Sequence, residues 1–206
     1  MIQLARSPTT GSIYQREDGD DASESEQRNA AGSPPFMQPM LGVAMQRRQL
    51  LAEHINWDRV WFIARDGEPA GYLQGYMHGR GPHRLGALDL RRAFGWSGAA
   101  WRRPLLRALD ARFARFEAYL YRLIIRPELR GQGLGQALLG GWLEALTQAG
   151  VNRVHLEVWG HNPAAMRFYQ RLGFQCQRER RLPVRIAGLP HQRWWLMSRS
   201  LASDAR

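Results

Sequence analysis

Residues 118–174 read AYLYRLIIRPELRGQGLGQALLGGWLEALTQAGVNRVHLEVWGHNPAAMRFYQRLGF, and the order of patterns in this stretch decides the fold. Ala118 to Ile125 has the β-branched and aromatic content of a strand, and Pro127, which cannot donate to a ladder, stops it. From about Gly135 to Gln148, the residues Leu138, Leu139, Trp142, Leu143 and Leu146 recur at helical spacing on one side, and Gly150 closes the helix. Val151 to Trp159 is a second strand in which Val154, Leu156 and Val158 alternate. A strand, a long helix and a strand in this order make a crossover between two parallel strands. Asn162-Pro163 then opens a short helix through Arg171, with a capping side chain followed by proline at its favoured first position. The fold class is therefore mixed α/β.

Working outward, Val60 to Ala64 and Ala70 to Met77 are strand-like runs around an Asp66-Gly67 turn, which predicts a hairpin. Leu41 to Leu51 has helical spacing and predicts a helix ending near His54, and Leu85 to Phe116 holds a further amphipathic helix with Leu105, Leu106, Leu109, Phe113 and Phe116 among arginines. That basic helix reads as a cover for the core with a solvated arginine face, in preference to one lying on a membrane or nucleic acid. Phe174 to Arg181 and Arg193 to Leu201 close the fold as two last strands. The segment from Ser7 to Met40 is rich in Gly, Pro, Ser and acids and is expected to be loosely held, with one strand at Ser12 to Arg16. The expected organisation is a flexible tail over residues 1–10, a single domain over 11–201 and a tail over 202–206.

Charge and composition remove several chemistries. The 206 residues carry 29 basic side chains, every one an arginine, against 18 acids. With no lysine there is no P-loop and no Schiff-base catalyst. One cysteine, Cys176, excludes an intrachain disulfide and a four-cysteine zinc site, and reads as a packed thiol in a reducing compartment. No apolar run approaches the ~18 residues of a membrane span, so a cytoplasmic protein with no membrane partner is expected. Residues 1–31 hold six acids against three arginines, a balance of −3, which leaves 26 arginines against 12 acids, or +14, in the remainder. Such a surplus attracts polyanions, but charge alone favours the simpler reading of a bias toward arginine usage with solvated faces. The six histidines form no metal-ligand spacing, and no metal is expected.

The chemistry lies in the turn Arg130-Gly131-Gln132-Gly133-Leu134-Gly135, between a strand and a helix. Alternating glycines let consecutive N–H groups converge on one point before the helix N-terminus, which is a nest for phosphate. Gln136 stands where the dinucleotide fingerprint needs its last glycine. The turn alone leaves phosphate binding and a simple flexible turn evenly balanced. A second element decides between them, because Arg-x-x-Gly-x-Gly is followed by Asn162-x-x-Ala165-x-x-Phe168-Tyr169-x-x-x-Gly173-Phe174. This pair of motifs resembles the GNAT superfamily of acetyl-CoA-dependent N-acetyltransferases, strongly over residues 118–201.

The resemblance implies a twisted mixed sheet splayed between its fourth and fifth strands. It implies that Leu123, Ile124 and Ile125 pair their backbone with the pantetheine arm of acetyl-CoA, and that Gly131, Gln132, Gly133, Leu134, Gly135 and Gln136 hold the pyrophosphate with Arg130 beside them. Asn162 would hydrogen-bond the cofactor at the splay. Glu157 and Tyr169, twelve positions apart, match the base and acid of enzymes that acetylate ribosomal-protein N-termini; Glu157 would act through water, and a structural role for it is as well supported. Tyr121 falls where many relatives carry a strand carboxylate, so that alternative base is missing. The implied reaction is direct attack of a primary amine, on a small molecule or a protein N-terminus, in a ternary complex of a monomer or homodimer. The competing reading is an inactive module of the same fold whose arginine-rich face holds nucleic acid or ribosome.

Overall fold

A computed structural model describes residues 2–7, 11–16, 22–31, 38–160, 162–181 and 193–201. The described strands form one mixed sheet in the order β1-β2-β3-β4-β5-β6-β8-β7. They are β1 (Ile2–Ser7), β2 (Gly11–Gln15), β3 (Val60–Arg65), β4 (Glu68–Met77), β5 (Ala118–Ile125), β6 (Arg153–Trp159), β7 (Gln175–Arg181) and β8 (Arg193–Ser200). Asp66 and Gly67 turn the β3–β4 hairpin with φ of 53° and 81°, the left-handed pair that a two-residue turn matched to strand twist requires.

β5 and β6 are the parallel pair that the sequence predicts, joined by α5 (Leu134–Gln148). Their pairing runs only through Ala118↔Val154, Tyr119↔His155 and Leu120↔Leu156, whereas β5 continues to Ile125 and β6 to Trp159. The sheet therefore splays beyond Leu120 and Leu156. On its other side β5 stays paired with β4 as far as Ile125↔Gly71, with a register shift opposite Gln74 and Gly75. The opening lies between the fifth and sixth strands here, because β1 adds a strand at the edge.

The two faces of the sheet carry different covers. α5 lays Leu138, Leu139, Trp142 and Leu146 on Leu73, Leu120, Val154, Leu156 and Val158, and α6 (Pro163–Arg171) adds Phe168 and Tyr169 to the same core. Burying aliphatic and aromatic side chains on this scale is the main stabilising contribution, at ~1.5–3 kcal/mol for each fully buried one. The opposite face is covered by α1 (Glu24–Ala30), α3 (Ala44–Ala52) and the C-terminal half of α4 (Ala87–Ala114), where Phe113 packs with Tyr76 and Tyr119.

Four expectations are corrected. Residues 2–7 do not form a flexible tail, since β1 pairs with β2 from Ile2↔Gln15 to Ser7↔Gly11. Residues 11–16 and 22–31 are not loosely held. Ile13 and Tyr14 of β2 are buried, β2 pairs with β3, and Glu26 of α1 receives the Tyr14 hydroxyl at 2.7 Å and Arg16 at 2.8 Å. One polar network thus fastens a stretch whose composition suggested looseness. The helix predicted from Leu41 is two, α2 (Gln38–Leu41) and α3, because Gly42 at φ 81° breaks the run. Cys176 is exposed rather than packed, on β7 at the edge of the sheet. The expected tail at 202–206 lies outside the described residues.

Candidate active site

The glycine turn adopts the predicted nest. Gly131 and Gly133 have φ of 77° and 79°, and Gly133 is the N-cap residue of α5, so the unpaired first N–H groups of that helix face the turn. A Cβ at Gly131 would meet no atom within 4 Å, leaving open space before the nest. Leu134 is buried and anchors the helix, while Gln132 and Gln136 are exposed. Arg130 bends back, its Nε donating to the Ile125 carbonyl at 3.1 Å, which joins the nest to the end of β5. Leu123, Ile124 and Ile125 precede it, half-buried, with one backbone edge on β4 and the other toward the splay.

Asn162 and Tyr169 lie beyond the splay on the α5 side. Asn162 caps α6, its Oδ1 accepting from the Ala165 N–H at 3.0 Å, and its amide N–H groups make no hydrogen bond among the described residues. Tyr169 is half-buried, edge-on to Phe168 and Phe174 at 5.1 and 5.8 Å, and its hydroxyl makes no hydrogen bond among the described residues. Burial pushes its phenol well above the ordinary value, so the group is a protonated donor at neutral pH.

Glu157 alternates onto the other face. Its side chain is 2% exposed; one oxygen is held by the Arg112 guanidinium of α4, the Tyr119 phenol lies beside the carboxylate, and the other oxygen, Oε2, is buried with no hydrogen bond of its own among the described residues. The sheet therefore separates the carboxylate from the phenol, and the splay is the opening between them. His155, which shares this face, is half-buried and stacked on Phe116 at 4.3 Å. Burial, with Arg153 and Arg115 adding to it, lowers its pKa. Trp194 and Trp195, successive residues of β8, take opposite faces; Trp194 is buried and stacks on Trp159 at 4.9 Å.

Two residues of this face were given no role at the site by the sequence. Arg112 holds Glu157, and Asp110 accepts the Tyr76 hydroxyl at 2.7 Å. A sequence signal for Asp110 did exist: it falls four positions after Leu106 and three before Phe113, on the apolar stripe of its helix. Arg112 has none, because its partner is 45 positions away. No group of residues suited to holding a metal ion occurs among the described residues.

The family model described as the acetyltransferase (GNAT) family matches residues 28–174. The chain belongs to this family. Its members use acetyl-CoA. The [Ribosomal protein bS18]-alanine N-acetyltransferase of Escherichia coli is 41% identical over 58 residues, 28% of this chain and 39% of that protein. A mycothiol acetyltransferase of Nocardiopsis dassonvillei is 47% identical over 55 residues, 27% of this chain and 17% of that one. The chain thus matches well under half the length of these relatives. Among solved structures, SsHAT superposes with a TM-score of 0.58 at 20% identity over 94% of this chain and all of its own, a likeness of fold. No described helix is long and apolar enough to cross a membrane.

Proposed function

We propose that the protein is an N-acetyltransferase that moves acetyl from acetyl-CoA onto a primary amine by direct attack in a ternary complex. The observation that supports this most is the sheet opening beyond Leu120 and Leu156, with a glycine nest at one end, a free phenol on one face and a carboxylate on the other. The residues present fit acetyl-CoA: the open space before Gly131 and the bare N-terminus of α5 suit a pyrophosphate, and the free edge of β5 suits an extended amide-bearing arm.

When bound, acetyl-CoA supplies a thioester whose carbonyl carbon is open to a neutral amine. Leu123, Ile124 and Ile125 align the pantetheine arm through their backbone, Gly131 to Gln136 bind the pyrophosphate, and Asn162 donates its amide N–H. An acceptor amine with an ordinary pKa of ~10.4 is mostly protonated at neutral pH, so its proton must be removed before attack. Glu157 Oε2, the oxygen not taken by Arg112, receives that proton through water. Tyr169 gives its hydroxyl proton to the departing thiolate, and its burial keeps that proton in place until then.

Titration calorimetry with acetyl-CoA tests the reading. One site is expected, with an affinity that falls as salt rises, because a polyphosphate ligand meets an arginine-rich body. Amines added to the complex should release free thiol. Absence of acetyl-CoA binding at low salt would overturn the proposal.

A further inference from the structure

A cavity of about 130 Å³ lies beneath α4, between α3, β4 and β5, and nothing above assigns it a role. Its back wall is Tyr121, on the part of β5 that has separated from β6, two residues before the edge assigned to the pantetheine arm. A group in this cavity thus adjoins the splay from the face opposite Tyr169.

The lining is chemically divided. Leu51, Leu90, Leu106 and Leu109 form an apolar floor with room for about four water-sized groups. Asp110 stands at the rim, one oxygen taking the Tyr76 hydroxyl, and among the described residues it forms no ion pair. It differs there from Glu157, which is shut in with Arg112. Burial raises the pKa of Asp110 from its ordinary value, with the Tyr76 hydrogen bond opposing. Two exposed arginines, Arg103 and Arg107, complete the rim from the same helix. The other titratable groups that line the cavity are uncharged at neutral pH: burial pushes the His83 imidazole down to about 4, and the Tyr76 and Tyr121 phenols are raised. One anion and two cations therefore surround an apolar hollow. A bare amine would be drawn to Asp110 and repelled by both arginines, whereas a ligand carrying both charges satisfies all three.

We propose that this cavity is the acceptor subsite and that it takes a small zwitterion, an apolar α-amino acid. Asp110 pairs with the ammonium, Arg103 and Arg107 pair with the carboxylate, and the leucine floor receives the side chain. The proposal rests on the acetyltransferase reading above. It places the acceptor amine beside Tyr121, where the strand carboxylate of many relatives is missing, and replaces that carboxylate with one from α4.

L-Leucine, L-leucinamide and isovalerate are titrated by calorimetry into the CoA-saturated protein. L-Leucine should bind, with L-leucinamide and isovalerate at least tenfold weaker, because each lacks one charge. Asp110→Asn should weaken L-leucine at least tenfold, and the double change Arg103→Gln with Arg107→Gln should reduce L-leucine to the affinity of L-leucinamide. Arg103 and Arg107 are exposed, Asp110 and Asn are nearly isosteric, and unchanged melting temperatures would confirm that the variants fold. Equal binding of leucine and leucinamide would overturn the proposal in favour of a peptide α-amine, and so would unchanged affinity in Asp110→Asn. A protein that binds acetyl-CoA but not L-leucine would refute this subsite alone. A protein that binds neither would refute the acetyltransferase reading as well.

Discussion

That Glu157 and Tyr169 lie near one splay was legible because they sit on consecutive elements, β6 and α6, where spacing in sequence translates directly into spacing in the fold. What the sequence could not show is the environment of each. Tyr169 sits among Phe168 and Phe174 with its hydroxyl free, so Tyr169→Phe removes only a proton donor. Turnover should fall by ~10²-fold while acetyl-CoA affinity by calorimetry stays within twofold. Glu157 is held by Arg112, an ion pair no spacing rule anticipates, since it needs α4 laid across the sheet. If Oε2 is the base, Glu157→Gln should cut the rate at pH 7 by ~10²-fold and recover much of it near pH 9, where the amine begins to lose its proton unaided. An unchanged pH–rate profile would assign Glu157 to anchoring α4 through Arg112 and leave proton removal to another group.

Among the elements, strands and helices with a clean period were read within a residue or two, and errors arose where one glycine overrode the period. Gly42 divides α2 from α3, and Gly95, at φ 67°, kinks α4 inside a run that periodicity reads as continuous. Glycines at φ > 0 cost little, whereas a residue with a Cβ pays ~1–2 kcal/mol there, so such points are invisible to hydrophobic pattern yet firm in the structure. The nest provides a test at this level. Gly133→Val, at φ 79°, should lower acetyl-CoA affinity at least tenfold and reduce the melting temperature. Gly135→Ala is the control for stability, since its Cβ would meet Ile125 and Phe168 at ordinary contact distances of 3.5 and 3.6 Å within a helix. Its melting temperature should hold or rise, by up to ~1 kcal/mol of helix propensity. Equal acetyl-CoA binding by wild type and Gly133→Val would remove the nest from the cofactor site.

At the scale of the whole molecule, an acidic leading segment meets an arginine-rich body, and composition alone misread the contact as looseness. The contact is made by β2, which pairs with β3 and sets Ile13 under Gly141 of α5, while within the segment Glu26, 2% exposed, accepts from Arg16 and Tyr14 and completes a capping box with Ser23. Burial raises the Glu26 pKa, but the hydrogen bonds from Arg16, Tyr14 and Ser23 together outweigh it, and the net shift is downward. A carboxyl depressed on folding adds stability that is present above its unfolded value, ~4.3, and is lost as pH falls through the folded value. Glu26→Ala strands Arg16 and Tyr14 and should cost about 3 kcal/mol at pH 7, with the difference from wild type shrinking as pH is lowered from 5 toward 2. Deleting residues 1–34 removes β1, β2 and α1 together, uncovers β3 as a sheet edge and exposes Trp61 and Phe62, so it should cost more than Glu26→Ala and favour aggregation. Deleting only residues 1–10 removes one edge strand and should cost less than either. If thermal melts rank the three variants otherwise, and the 35–206 chain keeps its melting temperature and acetyl-CoA affinity, the leading segment is an appendage and the domain is complete from β3 onward.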